Sequence, residues 1–176
     1  MIKLQKLTQT DTAFLKAAKK IYESAFPSNE RRVFKEVKNM LADKRFNFSV
    51  ITFEDSVVGI ITLWDFVNFV YIEHFAITEA FRNNGLGTYV MKKILQDEAR
   101  QIVLEVDLPE NELSLKRIQF YKRFGFEMYH ETYIQPAYSK DKMAVPMLIM
   151  TTQEMDARMG QHLIKTLHQE VYGFFE

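Results

Sequence analysis

The sequence predicts a mixed α/β domain: a central mixed sheet of about seven strands with flanking helices, followed by a C-terminal helix. Three observations predict it. The apolar period switches repeatedly between two and about 3.6 residues, the signatures of strand and amphipathic helix. The switches run β-α-α-β-β-β-α-β-α-β-β-α, an antiparallel meander leading into one strand–helix–strand crossover, which must be parallel and right-handed. At 176 residues the chain can build one substantial core and is short for two. Residues 1–152 are expected to form the domain, and 153–176 a helical extension packed on it or on a partner subunit.

Ile2–Leu7 alternates as a strand. Thr10 or Asp11 can cap a helix presenting Phe14, Ala18, Ile21, Tyr22 and Ala25 on one face, and Pro27 stops it. Ser28 or Asn29 is expected to cap a second helix with Val33, Val37, Met40 and Leu41 inward. The intervening Phe26–Arg32 connection carries an aromatic, expected to be exposed, and three charges that read best as a first helical turn. Phe46–Phe53 and Ser56–Phe66 read as strands about a Glu54-Asp55 turn, and Phe69–Ile77 as the next. Leu86, Val90 and Ile94, widened by Met91 and Leu95, form a helical stripe. Ile102–Leu108 is apolar on both faces, as a central strand should be. Leu113–Phe124 is helical, with Gly125 placed as a C-cap. Glu127–Ile134 and Val145–Thr151 read as an antiparallel pair. The tail, Glu154–Tyr172, carries Met155, Met159, Leu163 and Leu167 at spacings of four. With Tyr172, Phe174 and Phe175 it could pack on its own domain or support a homodimer.

Composition narrows the function classes. Lysine plus arginine equals aspartate plus glutamate at 23 each, so no net field favours nucleic acid or an anionic membrane. No cysteine is present, which removes thiolate nucleophiles, disulfides and cysteine metal sites. The histidines show no ligand spacing, so no metal is expected. The longest uncharged run is too short to span a bilayer, and no signal peptide is visible, so the expectation is a soluble cytoplasmic protein.

The stretch of most chemical interest joins the fourth strand to its following helix through Arg82-Asn83-Asn84-Gly85-Leu86-Gly87. The first N–H groups of a helix lack internal partners and sit at the positive end of its dipole, and glycines let a phosphate come close. A P-loop would require Lys-Ser/Thr after the last glycine, and Thr88-Tyr89 stands there; a dinucleotide fingerprint needs a third glycine.

The Arg-x-x-Gly-x-Gly pattern resembles the acetyl-CoA loop of the GNAT acetyltransferases. Leu104-Glu105-Val106 and Phe120-Tyr121-Lys122-Arg123-Phe124-Gly125-Phe126 are similar to that family's second half. The resemblance covers most of Ile2–Thr151 and implies an acetyl-CoA-dependent N-acetyltransferase whose acceptor is a small amine or a peptide. The backbone of Arg82, Asn83, Asn84, Gly85, Leu86, Gly87 and Thr88 would hold the pyrophosphate. Phe75, Ala76 and Ile77 would pair with the pantetheine arm, and Tyr121 would protonate the leaving thiolate. Glu73 is the expected general base, directly or through water; a hydrogen-bonded strand carboxylate is the plain alternative. Ser114 stands where many members carry asparagine, and Arg117 where a small residue is usual, so Ser114's contact to CoA is the less secure and Arg117 could meet a CoA phosphate, the acceptor or Glu105. Strand alternation sends His74 to the face opposite Glu73 unless a bulge intervenes. The acceptor pocket is expected to draw on Phe26–Arg32, on Trp64, Asp65, Phe66 and Phe69 at the third-to-fourth strand turn, and on Tyr133. A non-catalytic acetyl-CoA sensor on the same fold is the competing function.

Overall fold

The computed structural model describes residues 1–173. Among them eight strands form one sheet: β1 (Ile2–Lys6), β2 (Phe46–Phe53), β3 (Ser56–Asp65), β4 (Phe69–Ile77), β5 (Gln101–Asp107), β6 (Glu127–Met128), β7 (Tyr133–Gln135) and β8 (Val145–Thr151). The order is β1-β2-β3-β4-β5-β8-β6, and β7 also pairs with β8. All neighbours are antiparallel except β4 and β5. The expected sixth strand, Glu127–Ile134, is therefore two. Tyr129 N–H still donates to the Ile149 carbonyl at 2.9 Å, after which His130–Thr132 loop out and the chain rejoins β8 at Tyr133.

The helices α1 (Thr12–Ala25), α2 (Phe34–Met40), α3 (Leu86–Asp97), α4 (Glu112–Lys122) and α5 (Ala157–Thr166) divide between the two faces. On one face Leu15, Ala18, Ile21 and Tyr22 of α1, Phe34 and Val37 of α2, and Leu163 of α5 cover Phe48, Ile60, Tyr71 and Val103. On the other, Leu86, Val90, Met91 and Ile94 of α3 and Ile118 and Tyr121 of α4 cover Ile61, Ile72, Leu104 and Met150. The stripe read from the sequence of α3 is its buried face. None of the helices among the described residues is long and apolar enough to cross a membrane.

Three local expectations give way to tertiary packing. The second helix begins at Phe34 rather than beside Ser28, because Ser28–Glu30 forms a 3₁₀ turn and Arg31 is extended; Val33 points outward and Phe34 inward. Phe26 is half-buried, edge-on to His74 with ring centroids 4.6 Å apart. In α5 the inward positions are Gly160 and Leu163, and Met159 is exposed.

The tail belongs to the main core. Asp156 caps α5 by accepting from Met159 N–H at 2.7 Å, and α5 passes into a π-helical turn, Leu167–Val171. Met155, Leu163, Leu167 and Val171 join the α1–α2 core cluster. Phe174 and Phe175, named with the tail as docking residues, lie outside the described residues. Leu167 is fully buried, so Leu167→Ala should cost about 2–5 kcal/mol in urea unfolding. A change near zero would show that the tail is peripheral to the core.

Candidate functional site

The parallel pairing of β4 with β5 runs from Phe69↔Gln101 to Ile72↔Leu104 and stops, although both strands continue. The cause lies on the other edge of β4. There Ile72 pairs with Leu63 but His74 with Thr62, which leaves Glu73 as an extra, bulged residue. A bulge bends its strand and increases its twist, and here it swings Phe75–Ile77 away from β5. The opening is a cleft of about 660 Å³ beside the N-terminus of α3.

On the α3–α4 side the cleft is built for an anion. Asn83 (φ 63°) and Gly85 (φ 77°) take left-handed conformations that turn the loop into the helix. Gly85 occupies the N-cap without a side-chain cap, and the first intrahelical bond there is Tyr89 N–H to the Gly85 carbonyl at 2.9 Å. The N–H groups of Leu86, Gly87 and Thr88 therefore have no helical partner. Arg82 and Arg123 border the same end. Arg82 donates Nε to the Ile77 carbonyl at 3.0 Å, which anchors its stem. The cleft-facing edge of Phe75, Ala76 and Ile77 is free of β5. This combination fits a pyrophosphate with an extended amide-bearing arm, the chemistry of CoA.

Tyr121 also lines the cleft. It is buried against Phe120 and Phe126, and burial pushes its phenol up to about 12, with Arg117 opposing. Among the described residues no hydrogen bond engages its hydroxyl. Arg117 lines the cleft and pairs with Asp107. Ser114 does not line it. Its hydroxyl donates to the Asn111 carbonyl at 2.9 Å and accepts from Asn111 N–H at 3.2 Å, completing a reciprocal capping box at the start of α4.

Across the gap lies a buried polar network. The bulge places Glu73 and His74 on the same face, both toward α1, where simple alternation would separate them. Glu73 is saturated: Arg32 pairs with it, Trp64 Nε1–H donates at 2.8 Å and Tyr138 O–H at 3.0 Å. Burial pushes its carboxyl up, but Arg32 more than offsets this, and the net shift is below the ordinary value. Arg32 also donates to the Val171 carbonyl and lies over the Tyr138 ring, 4.5 Å from its centroid. His74 donates Nε2–H to the Glu30 carbonyl at 2.9 Å and accepts at Nδ1 from Thr62 at 3.2 Å; burial holds it neutral. Glu105 accepts from Tyr133, from Gln135 Nε2 at 2.6 Å and from Tyr172 at 2.8 Å. Among the described residues it has no cation partner, and burial raises its pKa against those bonds.

The acceptor end differs from the sequence expectation. Phe26 and Glu30 of the α1–α2 connection do line the cleft. The β3–β4 turn lies at the opposite end of β4, where Trp64 and Phe66 stack in the core and Asp65 pairs with Arg100. Tyr133 supports Glu105 from behind and is not part of the wall. Gln135, Met147 and Asp107 fill those places. The partnerships of Arg32, Tyr138 and Tyr172 had no periodic or motif signal, since each partner is distant in sequence.

Fold and cleft together are those of a transferase-type α/β protein, with a cleft opening beside a helix N-terminus. The chain belongs to the GNAT acetyltransferase family, whose model matches residues 13–126 and so spans both the glycine loop and the tyrosine motif. A structure described as a GNAT-family acetyltransferase from Bacteroides thetaiotaomicron is 32% identical at a TM-score of 0.90, covering 98% of this chain and 99% of that one. Two further structures share the fold. The ribosomal-protein-S18-alanine N-acetyltransferase of Escherichia coli is 17% identical at TM-score 0.61, with 89% and 97% covered. Arabidopsis thaliana Naa50, in complex with the bisubstrate analogue CoA-Ac-MVNAL, is 18% identical at 0.63, with 87% and 99% covered. The chain matches none of the curated proteins.

Arg32→Ala should destabilise the protein by about 3–5 kcal/mol near neutral pH, because it leaves Glu73 buried and unpaired. Glu73's depressed pKa means that its pairing stabilises the fold above the carboxyl's unfolded value and is lost as pH falls through the folded one. The gap between wild type and variant should therefore narrow in urea melts from about pH 7 to about pH 4. A gap constant with pH would show that Arg32 acts by packing alone.

Proposed function

We propose that the protein transfers an acetyl group from acetyl-CoA to the primary amine of a small acceptor, by direct attack within a ternary complex. The observation that carries this is the opening between β4 and β5. It lets Tyr121, on the α4 face, share one cleft with Glu105 and Glu73 on the α1 face.

Acetyl-CoA, when bound, supplies an activated acetyl carbonyl and a thiol leaving group. The N–H groups of Leu86, Gly87 and Thr88, with Arg82 and Arg123, hold its phosphates, and Phe75–Ile77 orient its arm. Arg117, paired with Asp107, sits along the same wall. Glu105 takes a proton from the acceptor ammonium, whose nitrogen then bonds to the acetyl carbon as the carbon–sulfur bond breaks. Tyr121 donates its phenolic proton toward the sulfur and is reprotonated from the amide nitrogen that forms. Glu105 is better suited than Glu73 as the base, because its hydrogen-bond donors are neutral and burial raises its pKa, whereas Arg32 holds the Glu73 carboxyl below its ordinary value. Glu73 then serves to anchor the wall, and Ser114 to cap α4.

A small acceptor is favoured over a peptide because the acceptor end is latched. Lys142 donates to the Arg31 carbonyl, and Met143 N–H to Asn29 Oδ1 at 3.3 Å, so the β7–β8 loop is tied to the α1–α2 connection. Acceptor chemistry stated for the structural relatives belongs to those proteins.

Acetyl-CoA binding by calorimetry should be lost in a Gly85→Ala, Gly87→Ala double variant. Gly85 carries most of the effect, because its φ of 77° strains any side chain, whereas a Cβ at Gly87 meets only ordinary contacts. Tyr121→Phe should lower turnover by about 10²–10⁴ with acetyl-CoA affinity retained. Tight binding without thiol release from any amine would instead support a cofactor sensor. Activity should fall with acidification through an acid limb above the ordinary glutamate range, set by Glu105, and Glu105→Gln should abolish that limb. Tyr121, at about 12, adds no limb near neutrality. An unchanged profile in Glu105→Gln removes it as the base.

A further inference from the structure

The charges lining the cleft are sorted by end. Arg82 and Arg123 stand at the α3 end. Four carboxylates line the other: Glu30, Glu73, Glu105 and Asp107. Two are neutralised within the protein, Glu73 by Arg32 and Asp107 by Arg117. The remaining two are not. Among the described residues the Glu30 side chain makes neither a hydrogen bond nor an ion pair. Among the described residues the hydrogen bonds to Glu105 come from neutral donors, Tyr133, Gln135 and Tyr172 with Tyr71 beside them. Arg117 acts on Glu30 only from its pair with Asp107, and His74, which also lines the cleft, is kept neutral by burial, with both ring nitrogens engaged. The acceptor end therefore holds two carboxyl groups without an ion-pair partner among the described residues.

A second, independent feature lies beside them. Gln135 is 4% exposed and lines the cleft, yet its Oε1 is buried without a hydrogen-bond donor. The amide cannot be reversed, because Nε2 must donate to the Glu105 carboxylate at 2.6 Å and an oxygen there would face an oxygen. A buried acceptor without a donor costs roughly 1–3 kcal/mol, and an N–H donor arriving in the cleft would remove that penalty.

We propose that Glu30, Glu105 and the Gln135 side-chain oxygen form a cation subsite, and that the acceptor is a small aliphatic diamine carrying two positive charges. The proposal rests on the acetyltransferase reading and names the substrate class of the same cleft. Charge matching sets the number: a monoamine leaves one carboxylate uncompensated in a sheltered cleft, where unpaired charge is costly. Ala25, Phe26 and Met147 on the same wall accommodate an alkyl body, and the Lys142 and Met143 latch limits its size. The reacting ammonium lies at Glu105 and Gln135, and the second, unreacted one at Glu30. Burial and the charges of Asp107 and Glu105 raise the Glu30 pKa, the response of a carboxylate that lacks a counter-ion, and a bound dication supplies one.

The test uses the full-length protein with putrescine and n-butylamine, which have the same carbon chain and differ in the second amine. Thiol release with acetyl-CoA should give putrescine a kcat/KM about ten to a hundred times that of n-butylamine, the span of one hydrogen-bonded charge contact. Glu30→Gln should raise KM for putrescine by a similar factor, leave its kcat nearly unchanged and affect n-butylamine little. The Glu30 side chain has no partner to lose, so the variant should melt as wild type does. Calorimetry in the presence of CoA should show putrescine binding weakened in Glu30→Gln and in Gln135→Leu. Equal use of the two amines, or no putrescine binding, overturns the subsite while thiol release with any amine keeps the transferase reading. Putrescine bound but never acetylated keeps the subsite and overturns the transferase reading.

Discussion

The structure depends on one interruption in its sheet. A continuous sheet is a barrier between its two faces, since backbone hydrogen bonding leaves no passage for a substrate. Here the extra residue Glu73 ends the β4–β5 ladder at Ile72↔Leu104 and opens that barrier. Residues that a closed sheet would keep apart, Tyr121 from the α4 face and Glu30, Glu105 and Gln135 from the other, then border the same space. The same opening frees one edge of Phe75–Ile77 and lies beside the uncapped start of α3, so the sites proposed for phosphate, arm and proton transfer all border the gap that one bulge opens.

Such a gap survives only if its walls are held. Arg32 is tied to Glu73, to the Val171 carbonyl and to the Tyr138 ring, linking the α1–α2 connection, β4, the C-terminal turn and the β7–β8 loop at one guanidinium. Tyr172, carried by the same turn, donates to Glu105 and lies 2.9 Å from the Tyr71 hydroxyl. Polar groups buried this deeply are tolerable because nearly all are satisfied, and their satisfaction fixes their orientation. The tail thus belongs to the core and also braces the wall of the cleft from behind.

The two ends of the cleft use different chemistry. The α3 end offers backbone N–H groups and a helix terminus, features that many side-chain sequences can supply. The acceptor end relies on particular side chains from β5, β7, β8 and the α1–α2 connection. There Glu30 and Glu105, without an ion-pair partner among the described residues, and the Gln135 amide oxygen carry the proposed cation subsite.

What the sequence determined alone was whatever depends on local order. The strands from Phe46 to Ile77, the α3 stripe, the glycine turn at Gly85, the Gly125 stop and the two motifs are encoded over a few residues by period, backbone freedom or spacing. It did not determine what depends on residues brought together from afar. Arg32 meets Glu73 across 41 positions, Tyr172 meets Glu105 across 67, and Lys142 meets Arg31 across 111. A bulge is a mismatch between two strands and is not written in either, so His74 lies on the face that alternation denied it. The same holds for Ser114, whose role follows from Asn111 as its capping partner, and for the split of the sixth expected strand beside Tyr129, which packs against Gly160. Pairing energies decide these features, and they exist only once the chain has closed.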